Sequence, residues 1–113
     1  MAKQPQNVPA VIGQHTQPDI EKWKAKHGDV RSFTQKDEEG NTHVTYFRPP
    51  NFDDIDYARE VGDGDGTKIG VAMANNVRLG GSDQVMENFR LKHGFMKAVL
   101  KLATAIEGDV EKL

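Results

Sequence analysis

From Phe89 to Ile106 the chain repeats apolar residues on two neighbouring helical stripes. Phe89, Met96, Val99, Leu100, Ala103 and Ile106 make one, and Leu91, Phe95, Ala98, Leu102 and Ala105 make the other. Together they are wider than the stripe of roughly 100° that an amphipathic surface helix turns to its core. A helix patterned in this way needs cover from more than one side, and the rest of the chain has to supply it. The run is expected to end near Glu107, before Gly108. Gly94 lies inside it, where glycine costs about 1 kcal/mol relative to alanine, and marks either a kink or the true start of the packed segment.

The first candidate for that cover is a β-hairpin. V-R-S-F-T-Q-K and T-H-V-T-Y-F-R are rich in β-branched and aromatic residues, and D-E-E-G-N between them offers Gly40 and Asn41 for a turn with positive φ. Pro49 and Pro50 cannot continue the ladder and end the second strand. Val30 and Phe33 are an odd number of residues apart, as are Tyr46 and Phe47, so both faces carry apolar groups. Either a bulge shifts the phase or the second face meets something else.

Helices account for the remaining segments. T-Q-P-D places a hydroxyl at an N-cap, a proline in the first turn and an acid at the positive helix end, so a helix begins near Thr16 and closes at Gly28, with Ile20, Trp23 and His27 on one face. Trp23 is its expected core anchor. After the prolines, Asn51 or Asp53 caps a short helix through Phe52, Ile55, Ala58 and Arg59, which stops at G-D-G-D-G. A second short helix carries Ile69, Ala72, Met73 and Asn76, and R-L-G-G-S-D is expected to be a turn whose Ser82 or Asp83 caps the next helix. The fold class is α+β: an N-terminal helix, an antiparallel hairpin, two short helices and one longer C-terminal helix.

At 113 residues, 36% hydrophobic and 28% charged, the chain fits one domain with one core. Residues 1–15 mix Pro5, Pro9, glutamine and asparagine around a short apolar patch and read as a flexible tail, although Val11 and Ile12 have the character of a short docking strand. The domain itself is expected over residues 16–108, with 109–113 as a C-terminal tail. A net charge of -2 with both signs interspersed gives no global field toward nucleic acid or anionic lipid. The absence of cysteine suits a reducing compartment, and the N-terminal segment holds no apolar run fit for a signal peptide or a membrane span, so the expected location is the cytoplasm, without a membrane partner.

Motifs for chemistry are missing from the pattern. Gly62 to Gly66 has the look of a calcium loop, but Thr67, Lys68, Ile69 and Gly70 stand where oxygen ligands belong. The histidines at 15, 27, 43 and 93 form no i, i+4 pair, so no metal site is expected, and Asp53, Asp54 and Asp56 suit a helix start. No nucleophile elbow, phosphate loop or dinucleotide fingerprint occurs. The expectation is a protein with no catalytic residues and no cofactor. Arg90, His93, Lys97 and Lys101 form a narrow basic stripe without interleaved aromatics, read as a solvated face that binds no nucleic acid.

D-I-E-K-W-K-A-K-H-G, a hairpin, Y-F-R-P-P, a short helix and then N-N-V-R-L-G-G-S-D together resemble the small tail assembly chaperones of phages and prophages, over about Asp19 to Ile106. The resemblance implies a cytoplasmic protein that keeps the tape measure protein soluble and helps recruit tail tube subunits, with no cofactor. The glycine in L-K-H-G-F-M-K and the longer polar N-terminal segment depart from that pattern. Tyr46, Phe47, Phe95, Met96 and Leu102 are the expected partner-contact residues, and Met73, Met86 and Met96 the expected adaptable surface. The competing expectations are a virion or mobile-element protein that forms stable homo-oligomers through the last helix, and a regulatory binding module.

Overall fold

The computed structural model describes residues 9–113. Its elements run β1 (Val11–Ile12), α1 (Gln17–His27), β2 (Arg31–Lys36), β3 (Thr42–Phe47), α2 (Phe52–Gly62), α3 (Gly66–Val77), β4 (Arg78–Gly81), α4 (Gln84–Glu87) and α5 (Phe89–Leu102), an α+β fold. No helix among the described residues is long and apolar enough to cross a membrane.

β3 is the centre of the sheet. β2 pairs with one of its edges, antiparallel, from Arg31 opposite Phe47 to Lys36 opposite Thr42. The other edge is shared, with β1 parallel beside Thr42 and His43 and β4 antiparallel beside Thr45, Tyr46 and Phe47. The hairpin is therefore as expected, with two additions. R-L-G-G is a strand and not a turn, because Gly81 takes φ 120° and comes so close to β3 that a Cβ there would collide with the Val44 carbonyl oxygen. The N-terminal segment is fixed from Ala10 to His15, where a flexible tail through residue 15 was expected. The Thr42 amide donates to the Ala10 carbonyl at 2.8 Å, the Ala10 amide to Asn41 Oδ1 at 3.0 Å, and the His15 amide to the Tyr46 hydroxyl at 3.2 Å. These partners lie about thirty residues away, so local composition could not reveal them. The remainder of the expected tail, residues 1–8, lies outside the described residues.

Both apolar faces of the hairpin find cover. Phe33 and Phe47 turn to α5, with Phe95 centred 6.3 and 5.4 Å from their rings, and Met73, Val77, Val85 and Val99 complete the main core. On the opposite face Tyr46 meets Trp23 at 5.4 Å, and the His15 ring lies 4.8 Å from the indole. α1 buries no residue fully. Trp23 thus anchors a separate aromatic cluster and not the main core. A register shift between Tyr46 and Phe47 opposite β4 accompanies this change of faces.

Caps set the helix limits. α1 closes at Gly28 as expected, but the Thr16 hydroxyl makes no capping bond. Asn51 and Asp54 form a reciprocal capping box on α2, and Asp65 Oδ1 accepts from the Lys68 amide to start α3. Neither Ser82 nor Asp83 caps with its side chain, because the Ser82 hydroxyl is engaged by His43. Asn88 starts α5 instead, accepting from the Arg90 and Leu91 amides. α5 runs through Gly94 unbroken. Gln35 crosses there, its Nε2 donating to the Leu91 carbonyl at 2.9 Å, and a Cβ on residue 94 would sit 2.6 Å from that nitrogen. α5 ends at Leu102, short of the expected Glu107, because nothing in the fold faces Ile106 to bury the continuing stripe. The folded body therefore stops before Gly108, and the unpacked segment begins earlier than residue 109.

Candidate partner-binding surface

The structure divides the five expected contact residues. Tyr46, Phe47, Phe95 and Met96 are buried, the first against α1 and the others in the main core, so the expectation that they face a partner is corrected. They are apolar because this chain covers both faces of its own sheet. Met73 is buried as well, and with Met96 it is packing and not adaptable surface. Leu102, 39% exposed, lies on the wall of an apolar hollow of about 300 Å³ with Pro50, Phe52 and Ile55.

A concavity larger than that hollow lies between α2 and α3. These helices are joined by the short loop Asp63–Asp65 and packed closely, with Gly62 against Ile69. Tyr57 and Val61, four residues apart and each about half exposed, form one wall of a groove of about 470 Å³. Val71 and Ala72 contribute from α3, with Thr67 and Lys68 toward the loop and Asn75 and Asn76 at the far end. Val71 and Thr67 also border a smaller apolar cavity of about 60 Å³ between α3 and the start of α5, against Phe89, Lys92, His93 and Met96. Phe89 is 78% exposed and stacks on the His93 ring at 5.8 Å. Sequence reasoning placed Phe89 in the core stripe and passed over Tyr57 and Val61. The spacing of the latter pair beside the Ile55 and Ala58 stripe was the available signal.

A polar knot holds the groove from below. The Asp54 carboxylate, almost fully buried, accepts four hydrogen bonds: from Arg48 Nη1 at 2.6 Å and Nη2 at 2.7 Å, from Asn76 Nδ2 at 2.6 Å and from the Asn51 amide at 2.8 Å. The Arg48 guanidinium, first among these, holds the Asp54 carboxyl below the usual aspartate range. The knot ties the end of β3 to the start of α2 and the end of α3, so it fixes Asn76 at one end of the groove. Within it the Asp54 carboxylate is only 2% exposed, while Asn76 is exposed and borders the groove.

A second buried polar line has an arrangement used elsewhere for nucleophilic catalysis. Ser82 Oγ lies 2.8 Å from His43 Nδ1, and His43 Nε2 lies 2.8 Å from Asp37 Oδ2. The His43 hydrogen bond is the main cause that lowers the Asp37 carboxyl. Ser82 is only 1% exposed and His43 fully enclosed, and Ser82 borders none of the cavities described above. A nucleophile needs room for a carbonyl beside it. This line serves as a strut between the hairpin turn and the β4–α4 junction. Among the described residues, no three His, Asp or Glu side chains are grouped to hold a metal ion. On the basic stripe of α5, Arg90 pairs with Glu38 at 2.8 Å while Lys97 and Lys101 are exposed.

We find no match to this chain among protein-family models, curated proteins or solved structures.

Proposed function

We propose that the protein is a non-enzymatic, cytoplasmic protein-binding domain of the tail assembly chaperone kind, which holds apolar helical segments of a tape measure protein in the α2/α3 groove and helps recruit tail tube subunits. One observation supports this above the others: Tyr57 and Val61 leave an apolar groove of about 470 Å³ open on a scaffold whose own core is already filled. A groove between two helices suits an amphipathic helix laid along it, with anchors at i, i+3 or i+4. The amides of Asn75 and Asn76 at one end and Lys68 at the other give such a helix polar partners without deep burial of charge. Release then requires no rearrangement of the core. The partners come from the sequence resemblance, and the groove from the structure.

Co-expression with the tape measure protein of the same genome tests the reading. The wild-type chain keeps that protein in the soluble fraction, whereas Val61→Asp and Tyr57→Ala lose most of this effect while their circular dichroism and melting stay near wild type. Equal soluble yields with wild type, with both variants and with no added chain would sink it.

A further inference from the structure

β2 is an edge of the sheet, and half of its backbone has nothing to pair with. It is joined only to β3, in a register that runs without a bulge from Arg31 to Lys36. The far side of β3 identifies the groups left over. There the Thr42 amide donates to the Ala10 carbonyl at 2.8 Å, and the Val44 carbonyl accepts from the Ser82 amide at 2.8 Å. Opposite residues of an antiparallel pair exchange both hydrogen bonds or neither, so Lys36 and Thr34, which stand opposite Thr42 and Val44, turn their N–H and C=O groups away from β3. Ser32 does the same two residues earlier. The result is an outward row of three N–H and three C=O groups, none with a partner among the described residues. Ser32, Thr34 and Lys36 are all exposed, and β2 carries neither the proline nor the bulge that blunts many sheet edges. Its charges, Arg31 and Lys36, stand at the two ends.

We propose that β2 pairs with β2 of a second copy, antiparallel about a two-fold axis at Thr34, and so joins the two four-stranded sheets into one. The edge is complementary to itself in this register. Thr34 lies opposite Thr34, a favourable cross-strand pair, and Ser32 opposite Lys36 in both directions. All three N–H groups of each copy then donate to the three C=O groups of the other. An axis one residue to either side, at Phe33 or Gln35, leaves Lys36 or Ser32 of each copy without a β2 partner. The backbone row alone accepts any extended segment, and charge is what selects a second copy. In the Thr34 register Arg31 falls opposite Asp37 of the second copy, whose carboxylate is held at the hairpin turn by His43 and the Glu39 and Asn41 amides. Lys36 meets a serine, and no cation of one strand stands opposite a cation of the other.

β2 borders no part of the α2/α3 groove, so this pairing and the chaperone reading stand or fall separately. Sedimentation equilibrium of the full chain should show a reversible monomer–dimer equilibrium. Thr34→Pro removes the amide on the axis at an edge position that tolerates proline, and should raise the dimer dissociation constant about tenfold or more while the monomer melts near wild type. Arg31→Glu should raise it too, because it sets an acid opposite Asp37. Since the chain has no cysteine, single thiols report the register. Thr34→Cys should oxidise to a covalent dimer, its Cα atoms about 5.5 Å apart across the axis. Ser32→Cys, roughly 14 Å from its copy at about 3.4 Å per residue, should not. A chain that stays monomeric at the highest attainable concentration overturns the proposal, and protection of the Ser32 and Thr34 amides in that monomer would show the edge covered within its own chain. A dimer indifferent to Thr34→Pro, or cross-linking equal at positions 32 and 34, overturns it as well.

Discussion

At the scale of single residues, Asp54 stands out because its buried carboxylate accepts four hydrogen bonds from three other residues. Replacing it with alanine leaves the Arg48 guanidinium, the Asn76 amide and the Asn51 amide without their shared acceptor. Removing one partner of a buried pair costs about 3–5 kcal/mol, and the partial exposure of Arg48 puts Asp54→Ala at the lower end, about 3 kcal/mol, readable as a lower urea midpoint. The pH dependence has a fixed sign. The folded Asp54 carboxyl titrates below its unfolded value of about 3.9, so its contribution is complete above that value and is lost as pH falls through the lower folded value. Wild type should therefore lose melting temperature steeply as the pH drops below about 4, and Asp54→Asn should start lower and fall less. A wild-type slope retained in full by Asp54→Asn would assign the acid sensitivity to other carboxylates, with Asp37 the next to examine because its carboxyl is lowered too. Gly81 is the backbone counterpart. At φ 120° a Cβ would strike the Val44 carbonyl and sit 2.8 Å from Thr45 Cα, and unfavourable φ alone costs about 1–3 kcal/mol. Gly81→Ala should destabilise by at least about 2 kcal/mol, with loss of protection at the Ser82 amide that donates to Val44.

Among the elements, α1 is attached differently from the rest. It buries no residue fully and meets the sheet through Trp23 and the neighbouring His15, against Tyr46. Trp23→Ala should free the helix without opening the main core. Hydrogen exchange would show α1 amides approaching unprotected rates while those of β3, α3 and α5 keep most of their protection, since local opening can fall well below the global free energy. Parallel loss of protection in α1 and α5 would mean that the two clusters are one. The same separation explains what the sequence could convey. Elements whose signals are local were legible: the hairpin from its alternating strands and Gly40–Asn41 turn, the start of α2 from Asn51, and the end of α1 from Gly28. Elements that exist through a distant partner were not. β4 depends on Gly81 fitting against Val44, β1 on Asn41 and Thr42, and the end of α5 on the lack of any surface facing Ile106. The candidate site was misread for a related reason. Tyr46 and Phe47 look like one buried and one spare face, and only the arrival of α1 shows that neither is spare, while Tyr57 and Val61 sit beside a genuine core stripe and resemble its edge.

For the molecule as a whole, β3 is the shared wall of two clusters of unequal size, and this makes their coupling asymmetric. Phe47 faces the larger cluster and Tyr46 the smaller, on adjacent residues of one strand. Loss of the small cluster leaves β3 paired to β2 and packed on α5, whereas loss of the large one removes the support on which Tyr46 and α1 depend. Phe95, fully buried and facing both Phe33 and Phe47, is the residue that tests this. Phe95→Ala should cost about 3–5 kcal/mol, a large part of the roughly 5–15 kcal/mol that holds a domain of this kind folded. Its urea transition should move down when followed by far-ultraviolet circular dichroism. The fluorescence of Trp23, the chain's one tryptophan, should move down with it even though the mutation lies on the other face of the sheet. An unmoved Trp23 transition beside a lowered dichroism midpoint would show that α1 and the strand it rests on persist without the main core, and that β3 does not couple the two faces.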